Sequence, residues 1–107
     1  MAVAIGKLEQ AAERFAAKIR AMAYDVQVDT FRCGPKGAEY YGPSNVEITI
    51  ERDEDDQGDG FVYETIKFLA DAYGGIGPGE FGGETWTEMK VAAIDYLRRC
   101  GIWQEGN

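Results

Sequence analysis

Residues 51–61 read ERDEDDQGDGF, with six carboxylates and two glycines in eleven positions. Side chains of this type support three kinds of chemistry. Clustered oxygens coordinate hard cations such as calcium. Two carboxylates with separated pKa values catalyse glycoside hydrolysis. A row of negative charge receives a basic surface. The catalytic pair fails first, because it needs an enclosing cleft and one desolvated member. Six neighbouring acids on a turn supply neither.

Taken from Asp53, the run resembles the EF-hand calcium loop. Asp53, Asp55, Gln57, Asp59 and Glu64 fall at loop positions 1, 3, 5, 7 and 12, and Gly58 falls at 6. The sequence departs from that pattern at Gln57 and at Gly60, where an apolar residue is usual. It departs again in its approach, since residues 46–51 alternate like a strand. We assign no metal ligands and no cofactor. A calcium-binding module through residues 53–64 stands as an alternative function.

The third reading uses more of the chain. Glu47, Glu51, Asp53 and Asp55 share one face of an alternating segment. At a strand rise of ~3.3 Å, successive positions on that face lie ~6.6 Å apart. Carboxylates at that pitch imitate a phosphate backbone. Asp56 and Asp59 continue the charge into the turn, and Gly58 and Gly60 permit it to be tight. Tyr40 and Tyr41 lie between Gly34-Pro35 and Gly42-Pro43, in a loop where tyrosines serve as interface anchors. These eight residues, Glu47, Glu51, Asp53, Asp55, Asp56, Asp59, Tyr40 and Tyr41, are the candidate partner-binding set.

Composition narrows the choice. The 107 residues suit one domain, 1–107, and 45% apolar content is enough to fold it. Histidine is absent, which removes the commonest general base and nitrogen ligand. Cys33 and Cys100 match no metal or redox spacing and read as reduced, buried thiols. The formal net charge is −8. Residues 1–24 hold four basic and two acidic side chains (+2), residues 25–73 four and twelve (−8), and residues 74–107 three and five (−2). A field of this sign repels nucleic acid and anionic membranes. The opening MAVAIGKLEQAAERF reads without a secretory leader, and no run approaches a membrane span. The expected location is cytoplasmic.

The elements that must position these residues follow from periodicity. Ile5, Leu8, Ala12, Phe15, Ile19 and Met22 form one helical stripe over about 3–23. It suits burial against a sheet, and its spacing also suits a seam between two copies, a homodimer through the N-terminal helix. Residues 25–33 alternate as a strand. So does NVEITIERD, with Val46, Ile48 and Ile50 inward and an acidic outer face. FVYETIKFLADAY, 61–73, has the composition of a strand but spacing that also fits a helix; we take the strand, which closes a hairpin. GGIGPGEFGG reads as a plain flexible loop, since its glycines match no phosphate-binding pattern. Thr85-x-x-Glu88 is a capping box, followed by the stripe Trp86, Met89, Ala92, Ala93, Tyr96, Leu97, and Gly101 is a C-cap.

The expected fold is α+β, in the order α-β-β-β-α: a three-stranded antiparallel sheet with two helices packed on one face. That order, together with EMKVAAIDYL in the last helix, resembles the double-stranded-RNA-binding domain. The family's lysine cluster is replaced here by Glu84-Thr85-Trp86-Thr87-Glu88, so the resemblance carries topology and no RNA binding. In size and charge the chain resembles the small acidic inhibitors of phages and mobile elements, of anti-CRISPR or DNA-mimic type. The function expected is a non-enzymatic protein that binds a basic, nucleic-acid-handling partner and blocks it. A structural or oligomerisation role is the other alternative.

Overall fold

The central strand, β2 (Asn45–Asp53), pairs on both sides. A computed structural model describes residues 3–32, 44–53, 61–70 and 77–104. In it β1 (Asp25–Phe31) and β3 (Phe61–Leu69) lie antiparallel to β2, with Val26 opposite Ile50 and Ile48 opposite Ile66. Helix α1 spans Ile5–Arg20 and α2 spans Trp86–Arg99.

The strand reading of 61–69 holds for a physical reason. Nine consecutive positions register with β2, and alternation puts Ile66 and Phe68 in the core while Thr65 and Lys67 face away. No helix could meet an extended neighbour that way.

One expectation is corrected. The sheet has four strands and is mixed, not three strands and antiparallel: β4 (Glu80–Phe81) lies parallel to β3. It sits inside the glycine-rich segment read as a plain loop. Two residues are too short to show any period. Two backbone features place them. The Lys67 N–H donates to the Gly79 carbonyl at 2.7 Å. Gly79 has φ +79°, and a Cβ there would lie 3.0 Å from the Thr65 carbonyl oxygen. Only glycine tolerates both conditions. Phe81 then reaches Phe68, with ring centroids 6.0 Å apart.

Both helices cover one face of this sheet. Leu8, Ala12, Phe15 and Ile19 of α1 and Met89, Ala93 and Leu97 of α2 join Val46, Ile48, Ile50, Ile66 and Phe68 in a single core. Phe15 is its hub, meeting Phe68 edge-on at 5.6 Å and Trp86 edge-on at 6.0 Å. The α1 stripe is therefore spent on the sheet. Leu8 and Ile19 are fully buried, whereas Ile5 and Met22 at the ends of the stripe are part exposed. In α2, Ala92 is exposed rather than part of the buried stripe.

The ends of α2 are fixed as its sequence requires. Thr85 Oγ1 accepts from the Glu88 N–H at 3.2 Å. The return bond is displaced by one residue: the Glu84 N–H, not that of Thr85, donates to Glu88 Oε2 at 3.2 Å. At the other end Gly101, φ +79°, reverses the chain, with Gly101 N–H bonded to Arg98 O and Ile102 N–H to Leu97 O. This pair of bonds is the Schellman arrangement, and it drives Ile102 into the core. Trp103 follows and stacks on Phe15 at 5.2 Å. Among the described residues no helix is long and apolar enough to cross a membrane.

Candidate functional site

The face of the sheet away from the helices is where the charge collects. A pleated strand sends alternate residues to opposite sides, so burying Val46, Ile48 and Ile50 turns Glu47, Thr49 and Glu51 outward. The register then decides their neighbours. Asp25 lies opposite Glu51, and Glu51 opposite Tyr63. Asp29 lies opposite Glu47, and Glu47 opposite Lys67. Between these rows Gln27, Thr49 and Thr65 are aligned.

The acidic feature is thus a grid rather than a row. Thr49 separates Glu47 from Glu51, which stand ~13 Å apart along β2. Neighbouring charge comes from β1 instead, where Asp25 and Asp29 are exposed. Directly opposed residues in an antiparallel pair have Cβ atoms ~5 Å apart, and like charges so placed repel. Two such pairs, Asp25–Glu51 and Asp29–Glu47, occupy one open surface.

Among the described residues little offsets them. Lys67 Nζ lies 3.8 Å from Glu47 Oε2, with both side chains part exposed, a contact worth at most ~1 kcal/mol. Tyr63, 59% exposed, donates its hydroxyl to Glu51 Oε1 at 3.3 Å. At the Asp25 end lies a cavity of about 370 Å³ whose described lining is Asp25, Gln27, Thr49, Glu51 and Tyr63.

Of the predicted partner-binding set, Glu47 and Glu51 share this face, and the side chain of Asp53 lies outside the described ones. Asp55, Asp56, Asp59, Tyr40 and Tyr41 lie outside the described residues, as does Cys33. Asp25 and Asp29 were missed, although their signal was present: they are outer positions of an alternating strand. What the pattern omitted was which strand they would stand beside.

Glu64 has a different place from the one its loop spacing implies. It sits opposite Ile50, on the helix-covered side, 3.9 Å from the Arg52 guanidinium, and it accepts from the Tyr96 hydroxyl at 3.5 Å. Among the described residues no group of three or more acidic or cysteine side chains is arranged to hold a metal ion.

Arg52, Glu64, Tyr96 and Cys100 make a small polar cluster at the edge of the core. Burial, then the neighbouring Cys100 and Glu64 charges, push the Tyr96 hydroxyl above its ordinary pKa. Burial and the Glu64 carboxylate likewise raise the free Cys100 thiol, against the pull of Tyr96, Arg52 and Arg99. A raised pKa lowers the thiolate fraction, the reverse of what activates a cysteine nucleophile.

No family model matches the chain, and no curated protein or solved structure matches it either.

Proposed function

We propose that this protein is a non-enzymatic binding module whose open sheet face receives a basic surface of a nucleic-acid-handling protein and blocks it. The carrying observation is the register that sets Asp25 against Glu51 and Asp29 against Glu47 on a face that neither helix covers. Opposed like charges cost folding free energy. A sheet gains nothing internally by carrying two such pairs, whereas a cationic partner would neutralise both at once. Tyr63 adds an exposed ring beside the carboxylates, suited to an arginine side chain. The strongly negative centre of the chain would speed capture of a basic partner. Small acidic inhibitors of phages and mobile elements act in the same physical way, and that is the setting proposed.

A deca-arginine peptide titrated by calorimetry tests the reading. Affinity should fall steeply with salt. Asp25→Lys with Glu51→Lys should weaken binding far more than the charge-matched pair Glu13→Lys with Glu84→Lys on the helical side. Equal losses from the two pairs would show that net charge alone binds the peptide, and the open face would lose its role.

A further inference from the structure

One strip of the helical side gathers positive charge. Lys7, Arg14 and Lys18 are spaced 7 and 4 residues apart and so form one stripe of α1, about 16 Å long at 1.5 Å per residue. They border a groove between α1 and the start of α2. Its wider part, about 560 Å³, is lined by residues that include Lys7, Gln10, Arg14, Glu84 and Trp86. Its narrower part, about 120 Å³, is lined by Ala11, Arg14, Phe15, Lys18, Trp86 and Lys90, with no acid among them. Arg14 and Trp86 border both parts. Among the described residues, the side chains of Lys7, Arg14, Lys18 and Lys90 have no ion-pair or hydrogen-bond partner.

Four unpaired cations around a half-buried indole, in a chain of net charge −8, call for an anionic occupant with a flat ring. We propose that the α1–α2 groove binds a nucleotide. The phosphate lies in the narrow part against Arg14, Lys18 and Lys90. The base lies on Trp86, whose ring is fixed by edge contacts with Phe15 and Phe68 at 6.0 and 4.8 Å. Glu84 gives the wide part a carboxylate able to accept from a ribose hydroxyl or a base amino group.

Physical scale favours a nucleotide over a long strand. Small-ligand sites occupy ~300–1,000 Å³, which the wide part satisfies. Stacking on an aromatic ring is worth ~1–3 kcal/mol per base, and cations supply the phosphate term. A long polyanion would also meet the acidic remainder of the chain. A bound nucleotide is shielded from the open face by sheet and helix, and screening acts over ~8 Å at physiological salt. An acidic peptide would use the cations but leave Trp86 without a role.

Calorimetric titration of the whole chain with AMP, ATP, adenosine and inorganic phosphate tests this, with the Trp86 indole N–H followed by NMR. AMP and ATP should bind and shift that resonance. Adenosine and phosphate should each bind at least ~10-fold more weakly, a difference of ~1.4 kcal/mol. Arg14→Glu with Lys18→Glu should reduce AMP affinity by a similar factor or more, with the circular dichroism unchanged. If that pair disturbs folding, Lys90→Ala, at a part-exposed position, should still weaken AMP. Any one of four results overturns the proposal: no nucleotide binds, phosphate alone binds as well as AMP, a polyglutamate peptide binds as well as AMP, or the charge variants leave affinity unchanged.

Discussion

The two faces of one sheet obey different physics. On the covered face, Ile48 and Ile66 stand opposite each other and are fully buried beneath the helices. On the open face, one residue along, Glu47 stands between Asp29 and Lys67 in partial contact with water. Burial of a large apolar side chain contributes ~1.5–3 kcal/mol. Surface charge pairs contribute or cost less than ~1 kcal/mol. The covered face therefore holds the fold, and the open face is free to keep an arrangement that folding does not favour. A surface retained against its own electrostatics is where a binding role is most economically sought.

Variants on the two faces should separate by size. The largest loss is expected from Phe68→Ala, which removes the ring that meets Phe15, Phe81 and Trp86. Urea denaturation should show ~3–5 kcal/mol of destabilisation. A loss below ~1 kcal/mol would mean that the aromatic hub does not organise the core.

Neighbouring residues give the sharpest contrast. Ile48→Ala should cost ~2–5 kcal/mol, and Thr49→Ala, half exposed on the other face, within ~0.5 kcal/mol. Comparable losses would dissolve the distinction between the faces. The cover itself depends on the start of α2. Removing the Thr85 cap by Thr85→Ala should cost ~1 kcal/mol, read from the same curves.

On the open face the sign should reverse. Glu51→Lys turns the Asp25–Glu51 opposition into an attraction, and thermal melting at low salt should show a gain of ~0.2–1 kcal/mol. That gain should shrink as salt rises. The same change should weaken deca-arginine binding, so stability and binding move apart. A destabilised variant would remove the argument that the register places the carboxylates in conflict.

The smallest expected effect concerns the polar cluster at the core's edge. Tyr96 and Cys100 both have raised pKa values in the folded chain. The unfolded chain therefore ionises first, and the stability these groups share is complete below their ordinary pKa values. It should decline as pH rises through about 9 and beyond. Melting temperature should fall between about pH 8 and pH 10.5, and Tyr96→Phe with Cys100→Ser should flatten that fall. An unchanged slope would place the titrating groups elsewhere.

Much of this was legible because its signals are local. The capping Thr85, the C-terminal Gly101 and the stripe from Leu8 to Ile19 each act within a few residues of themselves. The alternation in Asn45–Asp53 is equally local, and it correctly turned Glu47 and Glu51 outward. The mixed character of the sheet was not legible. β4 is two residues long, and its place depends on a hydrogen bond from Lys67 to Gly79. The acidic row was half legible. Its β2 members were found, but their charged neighbours Asp25 and Asp29 are set by strand pairing, which periodicity does not encode.

By itself the sequence determined the class of fold, the helix limits to within a few residues, the inward face of β2 and an excess of negative charge. Each follows from side-chain period, capping chemistry or composition. Only the tertiary structure decided which charges meet. It opposed Asp25 to Glu51 across β1 and β2, drew Glu64 to the covered side beside Arg52, and gathered Lys7, Arg14, Lys18 and Lys90 around Trp86. The physical reason is distance along the chain. Helix and strand patterns repeat over two to four residues, whereas these encounters join positions tens of residues apart and depend on register and packing.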